Sequence, residues 1–164
     1  MSSVETNFHI VGFGSADLEF KFTDRHFVAE GISYTTDAVG DLLRAALLIA
    51  AGAPNASVSF DREPAEWRLI LRSLLDVASG RGPVELSVFE FADSCAALPD
   101  SEGHEVFKVS CSALDFAHAV LKTVDSVKGA ASAMEFGGDF EVAYQALKAA
   151  LNVYADRAGT PLSS

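Results

Sequence analysis

Thr36-Asp37-Ala38-Val39-Gly40-Asp41-Leu42-Leu43-Arg44-Ala45-Ala46-Leu47-Leu48-Ile49-Ala50-Ala51-Gly52 is where the apolar period of the chain changes. Before it, Leu18, Phe20 and Phe22 alternate with Glu19 and Lys21, the two-residue period of a half-buried strand. Within it, Val39, Leu42, Leu43, Ala46, Leu47 and Ala50 recur at steps of three and four, the period of a helix with one buried side. Thr36 is placed to cap this helix, Asp37 falls in the first turn where the helix dipole favours an anion, and Gly52 ahead of Pro54 marks its end. Asp37, Asp41 and Arg44 share the opposite stripe. Leu48 falls there too, so the second half of the helix is expected to be buried on most sides.

Working outward, strands dominate on both sides of this helix. Asn7 to Val11 reads as a strand, and Gly12-Phe13-Gly14-Ser15 as a bulge or turn, because no helix follows to make a phosphate cradle of the glycines. Phe27 to Tyr34, with Val28, Ile32 and Tyr34 on one parity, returns from a turn at Thr23-Asp24-Arg25-His26. Beyond the helix, Val58 and Phe60 lead to a turn at Asp61-Arg62-Glu63-Pro64, then Trp67, Leu69 and Leu71 face inward with Glu66, Arg68 and Arg72 on the other face. A turn at Ser79 to Pro83 precedes the alternating Val84, Leu86 and Val88, and the pattern breaks at Phe89 to Ala92. Asp93 to His104 reads as a solvated polar loop and Val106 to Cys111 as the last strand.

Two helices close the chain. Ser112-Ala-Leu-Asp115 resembles a capping box, and Phe116, Val120, Val124 and Val127 follow at helical spacing above a wet stripe of Asp115, His118, Lys122 and Asp125. The last helix, ended by Gly159-Thr160-Pro161, puts Phe140, Ala143, Tyr144, Leu147, Leu151 and Tyr154 on one face and Glu141, Gln145, Lys148, Asn152 and Asp156 on a polar one. Val142, Ala146, Ala149 and Val153 form a further ridge that needs cover from the preceding helix or from a second subunit, and a homodimer is expected. The chain thus reads as one α+β domain over residues 1–164. It has an antiparallel sheet of about six or seven strands, one inserted helix, and a C-terminal helical hairpin packed on one face.

Composition narrows the function. The 164 residues suit a single core, and 49% hydrophobic content excludes a disordered chain. A net charge of −11 repels phosphate backbones, so no nucleic-acid partner is expected. The longest apolar run, Ala45 to Ala51, is far short of the roughly 20 residues of a membrane span. Cys95 and Cys111 are too few to staple a secreted scaffold, and Met1-Ser-Ser-Val-Glu-Thr lacks the segments of a secretion signal, so a cytoplasmic protein is expected.

Catalytic chemistry finds little support. Cys111, Asp115 and His118 have the residue types of a nucleophilic trio, but Cys111 ends a strand ahead of the helix cap and does not share the helical register. Asp100, Glu102, His104 and Glu105, with Asp93 and Cys95 upstream, have permissive metal-ligand spacing in what reads as a solvated loop. Asp37 and Asp41 could serve as paired carboxylates, yet helix-start charges and an Asp41 to Arg44 ion pair account for them. No nucleotide-binding or zincin motif is present, and no catalytic, metal or cofactor site is assigned.

Ser33-Tyr34-Thr35-Thr36-Asp37-Ala38-Val39-Gly40-Asp41-Leu42-Leu43 and Glu63-Pro64-Ala65-Glu66-Trp67-Arg68 resemble a family of small bacterial cytoplasmic proteins with a Thr-Asp helix start and a Glu-Pro-x-Glu-aromatic-Arg hairpin. The likeness extends more weakly to Phe107 to Val120 and departs at Phe136-Gly137-Gly138-Asp139-Phe140. It implies no particular activity. Size and acidity are similar to those of immunity proteins of bacterial toxin systems, so the expected function is a non-enzymatic, immunity-like interaction protein with a basic protein partner. The alternative is a small-molecule or metal-binding protein with a cleft between the first helix and the sheet. Either way the expected partner-binding residues are Asp37, Asp41, Asp61, Glu63, Glu66 and Arg68.

Trp67, the only tryptophan, is expected to be buried beside Leu69 and Leu71. Native emission should therefore be blue-shifted and resist acrylamide, and Trp67→Ala should cost about 3 to 5 kcal/mol of unfolding free energy. Red-shifted, freely quenched emission would contradict this placement.

Overall fold

The computed structural model describes residues 3–12, 14–33, 37–74, 82–130 and 139–159, except for the side chains of 129–130 and 154–159. The elements are β1 (Val4–Gly12), β2 (Ser15–Phe22), β3 (His26–Ser33), α1 (Ala38–Ala50), β4 (Asn55–Arg62), β5 (Ala65–Ser73), β6 (Pro83–Phe91), β7 (His104–Ser112), α2 (Ala113–Ala130) and α3 (Phe140–Gly159). The α+β class and the C-terminal helix pair are as read from the sequence. The strands form two antiparallel meanders, β1-β2-β3 and β4-β5-β6-β7, with α1 as the crossover between them.

The sheets meet through side chains. The Trp67 indole N–H donates to the Glu30 carbonyl at 3.0 Å, so a β3 edge carbonyl takes an indole as its partner instead of a strand. Phe27 stands edge-on to Trp67 at 5.6 Å and stacks on Phe107 at 5.3 Å, joining β3 to β5 and β7 of the second sheet. Trp67 itself is 7% exposed, in keeping with its expected burial.

A bulge corrects the parity read for β3. Ala16 pairs with Ile32 and Leu18 with Ala29, so Asp17 faces both Glu30 and Gly31. Gly31 sits at φ +71°, where a side chain would be strained, and its N–H donates to Asp17 Oδ1 at 2.9 Å. The extra residue turns both Ala29 and Ile32 inward and leaves Val28 half-buried. Tyr34, the third residue of the expected parity, lies outside the described residues, as do Thr36, Phe13, Ser79 to Arg81 and Phe136 to Gly138.

α1 departs from expectation at two positions. Asp37 is its N-cap residue, one step ahead of the first turn, and makes no side-chain cap bond because its carboxylate is bound to Arg44. Leu48 is 51% exposed, because neither the sheet nor the other helices cover that stripe. The C-terminus closes as predicted: Gly52 adopts φ +94°, with bonds from Gly52 N–H to the Ile49 carbonyl and from Ala53 N–H to the Leu48 carbonyl. At the start of α2, the Ser112 hydroxyl accepts from the Asp115 N–H, the expected half of a capping box.

The core lies between the inner sheet faces and the three helices. Leu18, Phe20, Leu69, Leu71, Leu86, Leu42, Leu43, Phe116, Val120 and Leu147 are all nearly inaccessible. One polar contact is buried with them. The hydroxyls of Thr6 on β1 and Thr123 on α2 lie 2.6 Å apart, and Thr123 also donates to the Thr6 carbonyl, which fixes the helix against the edge strand.

On the outer face of the first sheet, Glu19 gathers Lys21 at 3.1 Å, His26 at 2.8 Å, His9 at 3.3 Å and Asn7 at 3.1 Å. Burial pushes the Glu19 carboxyl up, but the bonds from Lys21, His9, His26 and Asn7 together outweigh it and hold the group at about 2 against an ordinary 4.5. A depressed carboxyl stabilises the fold fully above its unfolded value and loses that contribution as pH falls through its folded value. The stability difference between the wild type and Glu19→Gln, read from urea midpoints, should therefore be level down to about pH 5 and shrink between 4.5 and about 2. A difference that does not change over this window would mean that Glu19 is not held down.

Candidate functional site

The outer face of β5 carries Glu66 and Arg68, two residues apart and therefore on the same side of the strand. Both were read from the sequence on the face turned away from Trp67, Leu69 and Leu71. Glu66 is instead only 4% exposed, because the Asp93 to Gly103 segment folds down over this face. Arg68 is what holds it there. Its Nη1 donates to the Leu98 carbonyl and to Asp100 Oδ1, both at 2.8 Å, and its guanidinium lies 4.0 Å from the centre of the Phe91 ring. Nε and Nη2 donate to the two oxygens of Glu66 at 2.8 and 3.2 Å, a two-point clamp. The Glu66 bonds, opposed by burial and aided by Asp100, raise the Arg68 pKa further.

The rest of the segment is fixed by short contacts. Ser94 N–H donates to the Pro64 carbonyl at 2.7 Å, Asp93 accepts from Cys95 N–H at 2.8 Å, and Ala97 takes φ +48°. Gly103 rests on Phe91 so closely that a Cβ there would come within 2.4 Å of the ring. The polar composition of this segment hides its role, since apart from Asp100 its anchors are backbone groups and a ring contact that leave no residue pattern.

Folding the segment down creates a cleft of about 570 Å³. Asp41 from α1, Ser59 and Asp61 from β4, Glu66 and Arg68 from β5, and Ser94, Cys95, Ala97 and Leu98 of the segment line it. Four of the six residues singled out from the sequence thus line one space: Asp41, Asp61, Glu66 and Arg68. Asp37 is not among the lining residues and bonds to Arg44 at 2.7 Å, while Glu63 is exposed on the turn, its N–H bound to Asp61 Oδ1 at 3.2 Å. The sequence reading did not place Ser59, Ser94, Cys95, Ala97 or Leu98 here, Cys95 having been weighed only as a metal ligand. Ser59 was legible from its parity with Asp61, whereas the other four depend on the folded segment.

The cleft carries more acid than base. Arg68 is committed to Glu66 and Asp100, and Asp41 accepts from Arg44 at 2.8 Å. Arg44 also binds Asp139, joining the starts of α1 and α3; burial lowers its pKa, but Asp37 and Asp41 raise it by more. Asp61 accepts a backbone N–H and, among the described residues, meets no cation.

Cys111 packs in the core, where burial, with Asp115 adding to it, pushes its thiol up to about 12, while His118 lies on the exposed face of α2. Of the Asp100 to Glu105 group, Asp100 is bound to Arg68 and Glu105 to Lys108. Among the described residues no three such side chains are arranged to hold a metal ion. Compared with protein-family models, curated proteins and solved structures, the chain matches none.

The Glu66–Arg68 clamp has a measurable signature. Arg68→Met leaves a buried carboxylate without its cation and should cost about 3 to 5 kcal/mol, whereas the Glu66→Gln/Arg68→Met double variant should recover part of that loss. Denaturant midpoints of the two single variants and the double variant give the coupling. Additive effects would show that the clamp is not what holds Arg68.

Proposed function

We propose that this chain is a non-enzymatic interaction protein that receives a basic side chain of a protein partner in the Asp41–Asp61–Glu66 cleft. The observation that carries this reading is the charge balance of the cleft: its one lining cation, Arg68, is already neutralised by Glu66 and Asp100, and Asp61 is left without a counter-ion among the described residues. A lysine or arginine entering beside Asp61 would gain a charge-assisted bond. The net charge of −11 would draw such a partner in from a distance. This is the behaviour of an immunity-like protein that meets a basic target, and it requires no cofactor.

A short arginine-rich peptide serves as the probe. Its titration should shift the amide resonances of Asp61, Arg68, Cys95 and Leu98. Asp41→Asn/Asp61→Asn should weaken binding at least about tenfold, and binding should weaken as salt shortens the Debye length below about 8 Å. Shifts confined to other surfaces, or binding indifferent to salt, would overturn the proposal.

A second reading follows from size, since about 570 Å³ lies within the usual range of small-ligand pockets. A small organic amine at about 100 times its Kd should stabilise the fold by about 2.7 kcal/mol. A broad panel of amines and metal ions that produces no thermal shift would remove that reading and leave the first intact.

A further inference from the structure

On α3 the apolar ridge expected to need cover is open to solvent, with Val142 72% and Val153 49% exposed, while the Tyr154 side chain lies outside the described residues. The open edge of the second sheet is more specific about an occupant, because it presents hydrogen-bonding groups in a fixed order. Ser73 N–H donates to the Pro54 carbonyl at 2.9 Å, which sets the phase of the ladder between β4 and β5. Along the unbroken register that follows, Ala56, Val58, Phe60 and Arg62 bond to β5, and Asn55, Ser57, Ser59 and Asp61 turn their N–H and C=O groups away from it. β4 is an end strand of its sheet, and among the described residues these outward groups make no hydrogen bond. Asn55, Ser57 and Ser59 are exposed, and Ser59 and Asp61 line the cleft.

The other end strands are blunted. β1 is bulged between Ile10 and Gly12 and gives its Thr6 carbonyl to Thr123. β3 has the Gly31 bulge and gives its Glu30 carbonyl to Trp67, and β7 is bulged opposite Val88 and Phe89 and carries Lys108. β4 has no bulge, lysine or proline.

We propose that an extended segment of a basic protein partner adds to β4 as an antiparallel fifth strand, with an arginine or lysine of the segment set against Asp61. This rests on the cleft's reading as a site for a basic partner and adds the backbone contacts that hold the partner there. Residues of the segment opposite Ser57, Ser59 and Asp61 take the outward N–H and C=O groups over a span of about 14 Å. Ser59 and Asp61 register with Arg68 and Glu66 on β5, so the side chains of those same segment residues stand on the cleft face of the sheet. The one opposite Asp61 brings its Cβ to about 5 Å, within reach of a carboxylate that meets no cation among the described residues. Asp41 and Asp61 favour a cationic segment over a second copy of this chain, whose net charge is −11.

The probe is a peptide of four threonines alternating with three arginines, blocked at both ends. Its binding should slow amide exchange at Ser57, Ser59 and Asp61 at least about tenfold and leave Val58 and Phe60, already bonded to β5, unchanged. Methylating the arginine backbone nitrogens removes the N–H groups that face β4 and should weaken binding at least about tenfold, whereas methylating the inner threonine nitrogens, which face solvent, should not. Ser59→Pro removes an outward N–H but no bond to β5, so it should keep the fold, read from its melting curve, and weaken the peptide by a similar factor. The methylated peptides test the same ladder on the unaltered protein. Equal binding of the two methylated peptides, unchanged exchange at Ser57 and Ser59, or full affinity in Ser59→Pro would overturn strand addition and leave the cleft reading standing. Failure of the unmodified peptide to bind would remove both. A dimer formed below about 500 µM that Ser59→Pro dissociates would show that a second copy takes the edge, and would likewise overturn the proposal.

Discussion

Arg68 is the point on which the outer half of the molecule depends. A guanidinium has donors in a fixed plane, and here each edge of that plane is used: one holds both oxygens of Glu66, another reaches the Leu98 carbonyl and Asp100, and the flat face lies on Phe91. Lysine, a point charge on a flexible stem, could not satisfy these partners together. Without this clamp, nothing charged would hold the Asp93 to Gly103 segment against the sheet, and the cleft would lose its wall. The buried charge of Glu66 is tolerated only because its partner is beside it on the same strand, two residues on.

Electrostatics elsewhere in the fold follow the same logic. Arg44 gathers Asp37, Asp41 and Asp139 where α1 and α3 begin, and Glu19 gathers Lys21 and two histidines across the first sheet. The first joins elements distant in sequence, and the second ties the three strands of one sheet together. Asp61 on the rim of the cleft is left outside these hubs, while Lys128 on α2 pairs with Glu141 on α3.

The two sheets show how a single side chain can replace a strand. The Trp67 indole takes the Glu30 carbonyl, and its ring packs against Phe27, so the β3 edge is occupied without ladder pairing to β4. Gly31 makes room for this arrangement, because its positive φ places an extra residue at the edge and turns both Ala29 and Ile32 into the core.

The sequence by itself determined what depends on local periodicity. The alternation of Leu18, Phe20 and Phe22, the three- and four-residue steps from Val39 to Ala50, the stop at Gly52 and the cap at Ser112 are each readable because neighbours along the chain fix them. Four of the six proposed site residues also came together, because outward parity on β4 and β5 and the exposed stripe of α1 put them on adjacent elements. Tertiary structure alone decided the rest. The division into two sheets, the burial of Glu66, the cleft wall from Ser94 to Leu98 and the exposure of Leu48 all depend on which distant surface arrives to cover a face. A carbonyl accepting from Arg68 or an indole reaching Glu30 acts across some thirty residues and leaves no spacing along the chain by which it could be read.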